Sequence, residues 1–169
     1  MTEHLVTIDP GRRLFGMAYF RDGTFIEARG YDATEDNLNI PQCVFTGRLA
    51  AAEVEDLGGG RQDGDSRVLG IEKMETRRGR SDAHEALIQL SVMTGAAAGS
   101  YWPNKVEFIS PGRWTGCHDK PTHQDRTLDH LDEDETERIN KAIKGSPTDT
   151  KSEIIDAVGI GLYMTGRYL

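Results

Sequence analysis

The stretch that most constrains this chain is Thr7-Ile8-Asp9-Pro10-Gly11. Leu5, Val6 and Ile8 form an apolar, β-prone run that stops on a carboxylate followed by a breaker pair. Proline cannot donate to a sheet ladder and glycine tolerates unusual dihedrals, so a strand over residues 4–9 should end here. Asp9 then stands at the tip of a central strand, where an unpaired carboxylate against a hydrophobic core is costly. Two arrangements relieve that cost. The carboxylate turns back onto nearby backbone amides, as Asp does in tight turns, or it holds a cation. The fragment alone leaves both open.

The rest of the chain supplies the context. Gly16 to Tyr19 open a second strand, which ends at Arg21-Asp22-Gly23-Thr24, and Thr24 to Arg29 form a third. Asp-Gly between two apolar runs predicts a hairpin, so the chain should begin as an antiparallel meander. Residues 30–66 are harder to read, with Pro41, a short helix over Leu49–Leu57 and a glycine-rich loop around Gly58-Gly59-Gly60. Val68-Leu69-Gly70-Ile71 is again a short apolar strand that ends on a carboxylate, Glu72. A polar loop, residues 75–80, precedes a helix over 82–99 with Ser81 as its N-cap and Glu85 in its first turns. Its Gly95-to-Gly99 run of small residues permits close approach to a sheet or to another subunit. Val106, Phe108 and Ile109 make a fifth strand, Pro111, Trp114 and Gly116 fall in a loop, a charged helix covers roughly 126–144, and a last helix starts near Ser146-Pro147. The first strand, a helix and the fourth strand in succession imply a right-handed crossover between parallel neighbours.

Composition narrows the classes. A chain of 169 residues suits one domain, 1–169, with a real core. No run of about 18 apolar residues predicts a membrane span, and the acidic start does not read as a signal peptide. Cys43 and Cys117 lack paired spacing and read as free thiols of an intracellular protein. Cys117-His118 with His123 is an incomplete zinc fragment, and a solvated loop accounts for it more simply. With 28 acids against 20 bases the net charge is −8, which argues against a general polyanion binder. The acids from Asp129 to Glu137 read as the solvated face of a helix, and the bases cluster at Arg77, Arg78 and Arg80 and at Lys141, Lys144 and Lys151.

The carboxylates form a pattern. If the strands ending on Asp9 and Glu72 are parallel neighbours, both acids leave the same edge of the sheet. Asp149, Glu153 and Asp156 fall on one face of the last helix and can be laid opposite them. Carboxylates converging on one spot repel unless cations sit between them, and hard oxygen donors suit magnesium or manganese. Two such ions roughly 4 Å apart form the clamp used in phosphodiester cleavage. Each acid also has a plainer use: Asp9 as a turn carboxylate, Glu72 in a pair with Lys73 or a loop arginine, Glu153 in a capping box with Thr150, Asp156 as helix surface.

Several segments resemble the RuvC family of Holliday-junction endonucleases, within the RNase H-like superfamily. They are Ile8-Asp9-Pro10-Gly11 with Gly16-Met17-Ala18, Gly70-Ile71-Glu72-Lys73-Met74, Ser110-Pro111 with Trp114-Thr115-Gly116, and Glu153 to Ile160. Their order and spacing cover nearly the whole chain. The resemblance implies an α/β, RNase H-like fold with a five-stranded mixed sheet flanked by helices. It implies a magnesium-dependent nuclease, with two ions per site and manganese as a substitute, acting as a homodimer on four-way or branched DNA in recombination and repair. Asp9, Glu72, Glu153 and Asp156 are then the catalytic metal ligands, although the family usually has aspartate where Glu153 stands and Asp149 is an alternative fourth ligand. The loop 73–80 matches the segment that enters the junction, making Lys73, Met74, Arg77, Arg78 and Arg80 the DNA contacts; the family's usual aromatic wedge is missing from it. The 82–99 helix matches the dimer-forming element. The 30–66 region has no equivalent, as in a divergent, phage-type branch, and the expected location is cytoplasmic, at the nucleoid or in the host cytoplasm if viral. A looser branched-DNA or flap nuclease and a non-catalytic junction binder remain alternatives. A sugar-kinase-like ATPase, which Asp-Pro-Gly also resembles, needs two domains and a second glycine-rich loop, for which this chain is too short.

Overall fold

The fold was taken from a computed structural model, in which residues 2–11, 14–32, 47–48, 52, 64–73, 83–116 and 118–168 are described, 83–86 by backbone alone. Five strands form one mixed sheet in the order β3-β2-β1-β4-β5. β1 (Glu3–Pro10), β2 (Leu14–Arg21) and β3 (Thr24–Asp32) are the expected meander, and β4 (Ser66–Glu72) and β5 (Lys105–Ile109) add on β1's other side as parallel neighbours. The hairpin signal works for its stated reason: Asp22 and Gly23 both have positive φ, 49° and 79°, as a turn matched to strand twist demands.

Each face of the sheet carries its own core. On one, Val6, Ile8, Met17, Tyr19, Leu69 and Ile71 meet Met93, Ala97 and Tyr101 of α1 (Ala83–Tyr101), the connection from β4 to β5. On the other, Leu5, Ala18, Phe20 and Phe25 meet Ile154, Ile155, Val158 and Leu162 of the last helix, which runs Lys151–Met164. That helix is buried on every side from Ile154 to Leu162, sheet below and further helices above, and so it is apolar all round rather than striped. Among the described residues, no helix is long and apolar enough to cross a membrane.

Three boundaries differ from expectation. Residues Pro111–Trp114 form a short helix, α2, instead of a loop. The single charged helix expected over 126–144 is two, α3 (Lys120–Asp129) and α4 (Glu133–Gly145). The break comes where Asp132 caps α4: its carboxylate accepts from the Glu135 amide while Glu135 reaches back to the Asp132 amide. Finally, Ser146-Pro147 does not start the last helix, α5. A 3-10 turn, Thr148–Thr150, follows the proline, and Thr150 Oγ1 donates to Pro147 O. Of the helix expected over 49–57, only residue 52 is described, and it is helical; the 75–80 loop and the Ser81 cap lie outside the described residues.

Candidate active site

Ile8 and Ile71 are register partners in the parallel β1–β4 ladder. The next residues, Asp9 and Glu72, therefore leave the sheet side by side. Strand alternation puts Asp9 on the face of Leu5 and Thr7, and Glu72 on that of Val68 and Gly70, which is the face under α5. Asp9 is only 8% exposed. Burial, then a hydrogen bond and charge repulsion from Glu72, push its carboxyl well above the usual aspartate value, against a smaller pull from Lys120. A hydrogen bond between two carboxyl groups needs a proton to hold them together, and a cation can take that proton's place.

The start of α5 completes the cluster. Thr7 Oγ1 donates to Ala157 O at 2.7 Å, seating the helix on β1 beside Asp156. Asp156, at 5% exposure, is not helix surface. Its Oδ1 accepts from His123 Nε2 at 3.1 Å and from Gln124 Nε2 at 2.8 Å, while its Oδ2 faces Lys120 Nζ at 2.9 Å. Glu153 Oε1 lies 3.9 Å from the same ammonium, and its Oε2 is buried with no hydrogen-bond partner. Thr150 does not cap α5 with its side chain, so the capping-box use of Glu153 is excluded. Asp149 falls in the exposed 3-10 turn outside the helix, and the helical spacing that put it beside Glu153 does not apply.

Gly16 controls this approach. It is the register partner of Asp9 in β2, and a Cβ there would lie 1.7 Å from the carbonyl oxygen of Glu153. Backbone against backbone cannot be relieved by a rotamer change. Gly16→Ala should therefore lift the first turn of α5, cost on the order of 1–3 kcal/mol of stability and separate Glu153 from Asp9. Denaturant unfolding together with a crystal structure of the variant checks this, and an unmoved α5 would refute it.

Sequence reasoning missed Lys120, His123 and Gln124. A signal existed: Asp119 before Lys120-Pro121 is a cap followed by an early-turn proline, and Asp119 does accept from the Thr122 amide at 3.1 Å. With α3 starting there, positions 120, 123 and 124 share one face. His123 is not in a solvated loop but buried, packed edge-on against Trp114 with ring centroids 4.9 Å apart. Cys117 lies outside the described residues, and His118 is exposed. Of the expected DNA contacts, Lys73 is exposed and its amide donates to Ile109 O at 2.7 Å; Met74, Arg77, Arg78 and Arg80 lie outside the described residues.

Among the described residues, no three carboxylate, imidazole or thiol groups are already set as a coordination shell. The donor chemistry nevertheless suits a hard divalent cation. Asp9 and Glu72 are in contact, Glu153 has an orphaned buried oxygen, and an ammonium bridges Glu153 and Asp156 where positive charge is called for.

No protein-family model matches the sequence, and no curated protein matches it. Solved structures do match. The yeast mitochondrial Holliday junction resolvase Ydc2 superposes with a TM-score of 0.63 at 13% identity, over 97% of this chain and 79% of that one. RuvC of T. thermophilus in complex with Holliday junction substrate superposes with a TM-score of 0.55 at 14% identity, over 99% and 94%. A second Thermus thermophilus RuvC structure gives 0.53 at 15%, with the same coverage. The fold is therefore that of the RuvC-like, RNase H-fold resolvases, a five-stranded mixed sheet with flanking helices.

Proposed function

We propose that this chain is a metal-dependent, structure-selective endonuclease that cuts four-way or branched DNA. The observation that carries the proposal is the meeting of Asp9 and Glu72, from adjacent parallel strands, with Glu153 and Asp156, from the first turns of α5. The fold shared with junction resolvases supports the substrate class. Asp9, Glu72, Glu153 and Asp156 would hold two magnesium ions, with manganese able to substitute. Those ions would activate the attacking water and stabilise the leaving 3′ oxygen. His123 and Gln124 fix one oxygen of Asp156, so the other is presented in a single direction.

In this proposal the whole chain, 1–169, is one nuclease domain that works as a homodimer through α1. Exposed positions Ile88, Ser91, Gly95 and Gly99 line one stripe of that helix, and Trp102 follows them at 72% exposure. Val106 and Phe108 of β5 are also exposed, on the sheet face that α1 covers. Apolar surface of this kind favours a second apolar partner. Lys73, Met74, Arg77, Arg78 and Arg80 would meet the DNA.

The direct test offers the protein four-way junctions, flaps and single strands with magnesium. Paired, symmetric nicks across the junction are expected; cutting of flaps alone would replace the junction with a flap substrate, and binding without cutting under any divalent ion would make it a junction-binding protein. Changing Arg77 and Arg78 together to alanine should weaken junction binding and reduce the slope of log K against log salt by about 2, one for each lost phosphate contact. An unchanged slope would remove that loop from the interface.

A further inference from the structure

Lys120 stands in an unusual place. It is the first residue of α3, where the helix dipole is positive and a cation is disfavoured. Its own helix therefore does not hold it inward. The carboxylates do: its ammonium lies 2.9 Å from Asp156 Oδ2 and 3.9 Å from Glu153 Oε1, with Asp9 adding a further attraction. These are the oxygens left over once His123 and Gln124 have taken Asp156 Oδ1. The lysine side chain is half exposed, so its path back to solvent is open. The one ammonium also does not complete the site, because Glu153 Oε2 stays buried without a partner.

We propose that Lys120 is a resident counter-cation that competes with the divalent ion for Asp156 and Glu153, and that metal loading expels it from the cluster. The inference rests on the metal-site proposal above. An ammonium and a divalent ion drawn to the same carboxylate oxygens compete for them. Both would sit within about 4 Å of each other and repel strongly, and the metal's short, octahedral bonds leave no room for a third donor group between them. Once the carboxylates are neutralised by the metal, the helix dipole alone acts on Lys120 and drives it outward. The lysine thereby keeps four acids from repelling one another before the metal arrives, and lowers the affinity with which they take it.

The test compares wild type with Lys120→Met, which keeps the aliphatic stem, and Lys120→Arg, which keeps the charge. Manganese binding is measured by titration calorimetry without DNA, and melting temperature in EDTA and in saturating manganese. Lys120→Met should bind manganese about tenfold tighter or more. It should melt below wild type in EDTA and level with wild type in saturating manganese, because the lysine contact is gone from both proteins once metal is bound. Lys120→Arg should behave as wild type. The proposal is overturned if Lys120→Met binds manganese no tighter, if its melting deficit is the same with and without metal, or if Lys120→Arg binds as tightly as Lys120→Met. If neither wild type nor Lys120→Met binds manganese, the metal site itself fails and this inference falls with it, a result distinct from the other three.

Discussion

Asp9→Asn should leave a folded protein that binds four-way DNA and no longer cuts it. The substitution keeps the shape of the side chain at the end of β1 and removes the charge that a divalent ion needs. Lewis-acid stabilisation of the transition state is worth several kcal/mol, and about 4 kcal/mol corresponds to roughly a thousandfold in rate. A loss of at least that size in single-turnover cleavage is therefore expected, with the dissociation constant for the junction little changed. The same variant has a signature in stability. The Asp9 carboxyl is pushed upward by burial and by Glu72, so the folded state binds its proton more tightly than the unfolded state does. Stability from this group is present at low pH and is lost as pH rises through the elevated value. In EDTA, wild type should become less stable as pH climbs above the ordinary aspartate range, and Asp9→Asn should flatten that decline. Full cleavage by Asp9→Asn would remove Asp9 from the metal site.

Arg167→Ala should be strongly destabilising although it lies away from the site. Glu135 is 1% exposed, and Arg167 grips both of its oxygens, at 2.6 and 2.7 Å, while also donating to His130 O. The Phe25 amide donates to the same carboxylate at 2.9 Å, so the cluster ties the chain end and α4 to β3. Removing the arginine strands a buried charge, which costs about 3–5 kcal/mol. Replacing both partners with apolar residues, as in Glu135→Met with Arg167→Met, should recover much of that loss, since the pair's own desolvation cost disappears as well. Burial pushes the Glu135 carboxyl up, but Arg167 and the Phe25 and Asp132 amides outweigh it and hold the group below its usual value. Its contribution is therefore present above the ordinary glutamate value and is lost as pH falls through the depressed one, opposite in sign to Asp9. Urea unfolding of the three proteins between acid and neutral pH reads both effects. An Arg167→Ala protein within 1 kcal/mol of wild type, a bound set by the same range, would contradict this account of the cluster.

Much of the sheet was legible because its signals are local. Apolar runs that end on Asp9 and Glu72, an Asp-Gly turn and a helical crossover are enough to place both carboxylates at one edge, and the sheet does so. That Glu153 and Asp156 lie close together on one helix was legible from spacing alone, since both fall inside α5. Asp149 was not, because Pro147 starts a 3-10 turn that takes that residue out of the helix. α3 escaped for a different reason. Leu128 is its only apolar residue, and its buried positions are His123 and Thr127, so no apolar period announces it. With the helix start misplaced, the shared face of Lys120, His123 and Gln124 was invisible. Glu135 escaped because it stands in a run of acids and its partner lies 32 residues away. A buried acid paired over that distance looks, in sequence, like any solvated one.

In the proposed function Asp9, Glu72, Glu153 and Asp156 together hold the catalytic metal. The most direct measurement is anomalous diffraction from crystals soaked in manganese. Peaks are expected between Asp9, Glu72 and Asp156, with the two strand-end carboxylates parted from their hydrogen bond and Glu153 Oε2 engaged. Ordered manganese elsewhere on the protein, with Asp9 still bonded to Glu72, would contradict it.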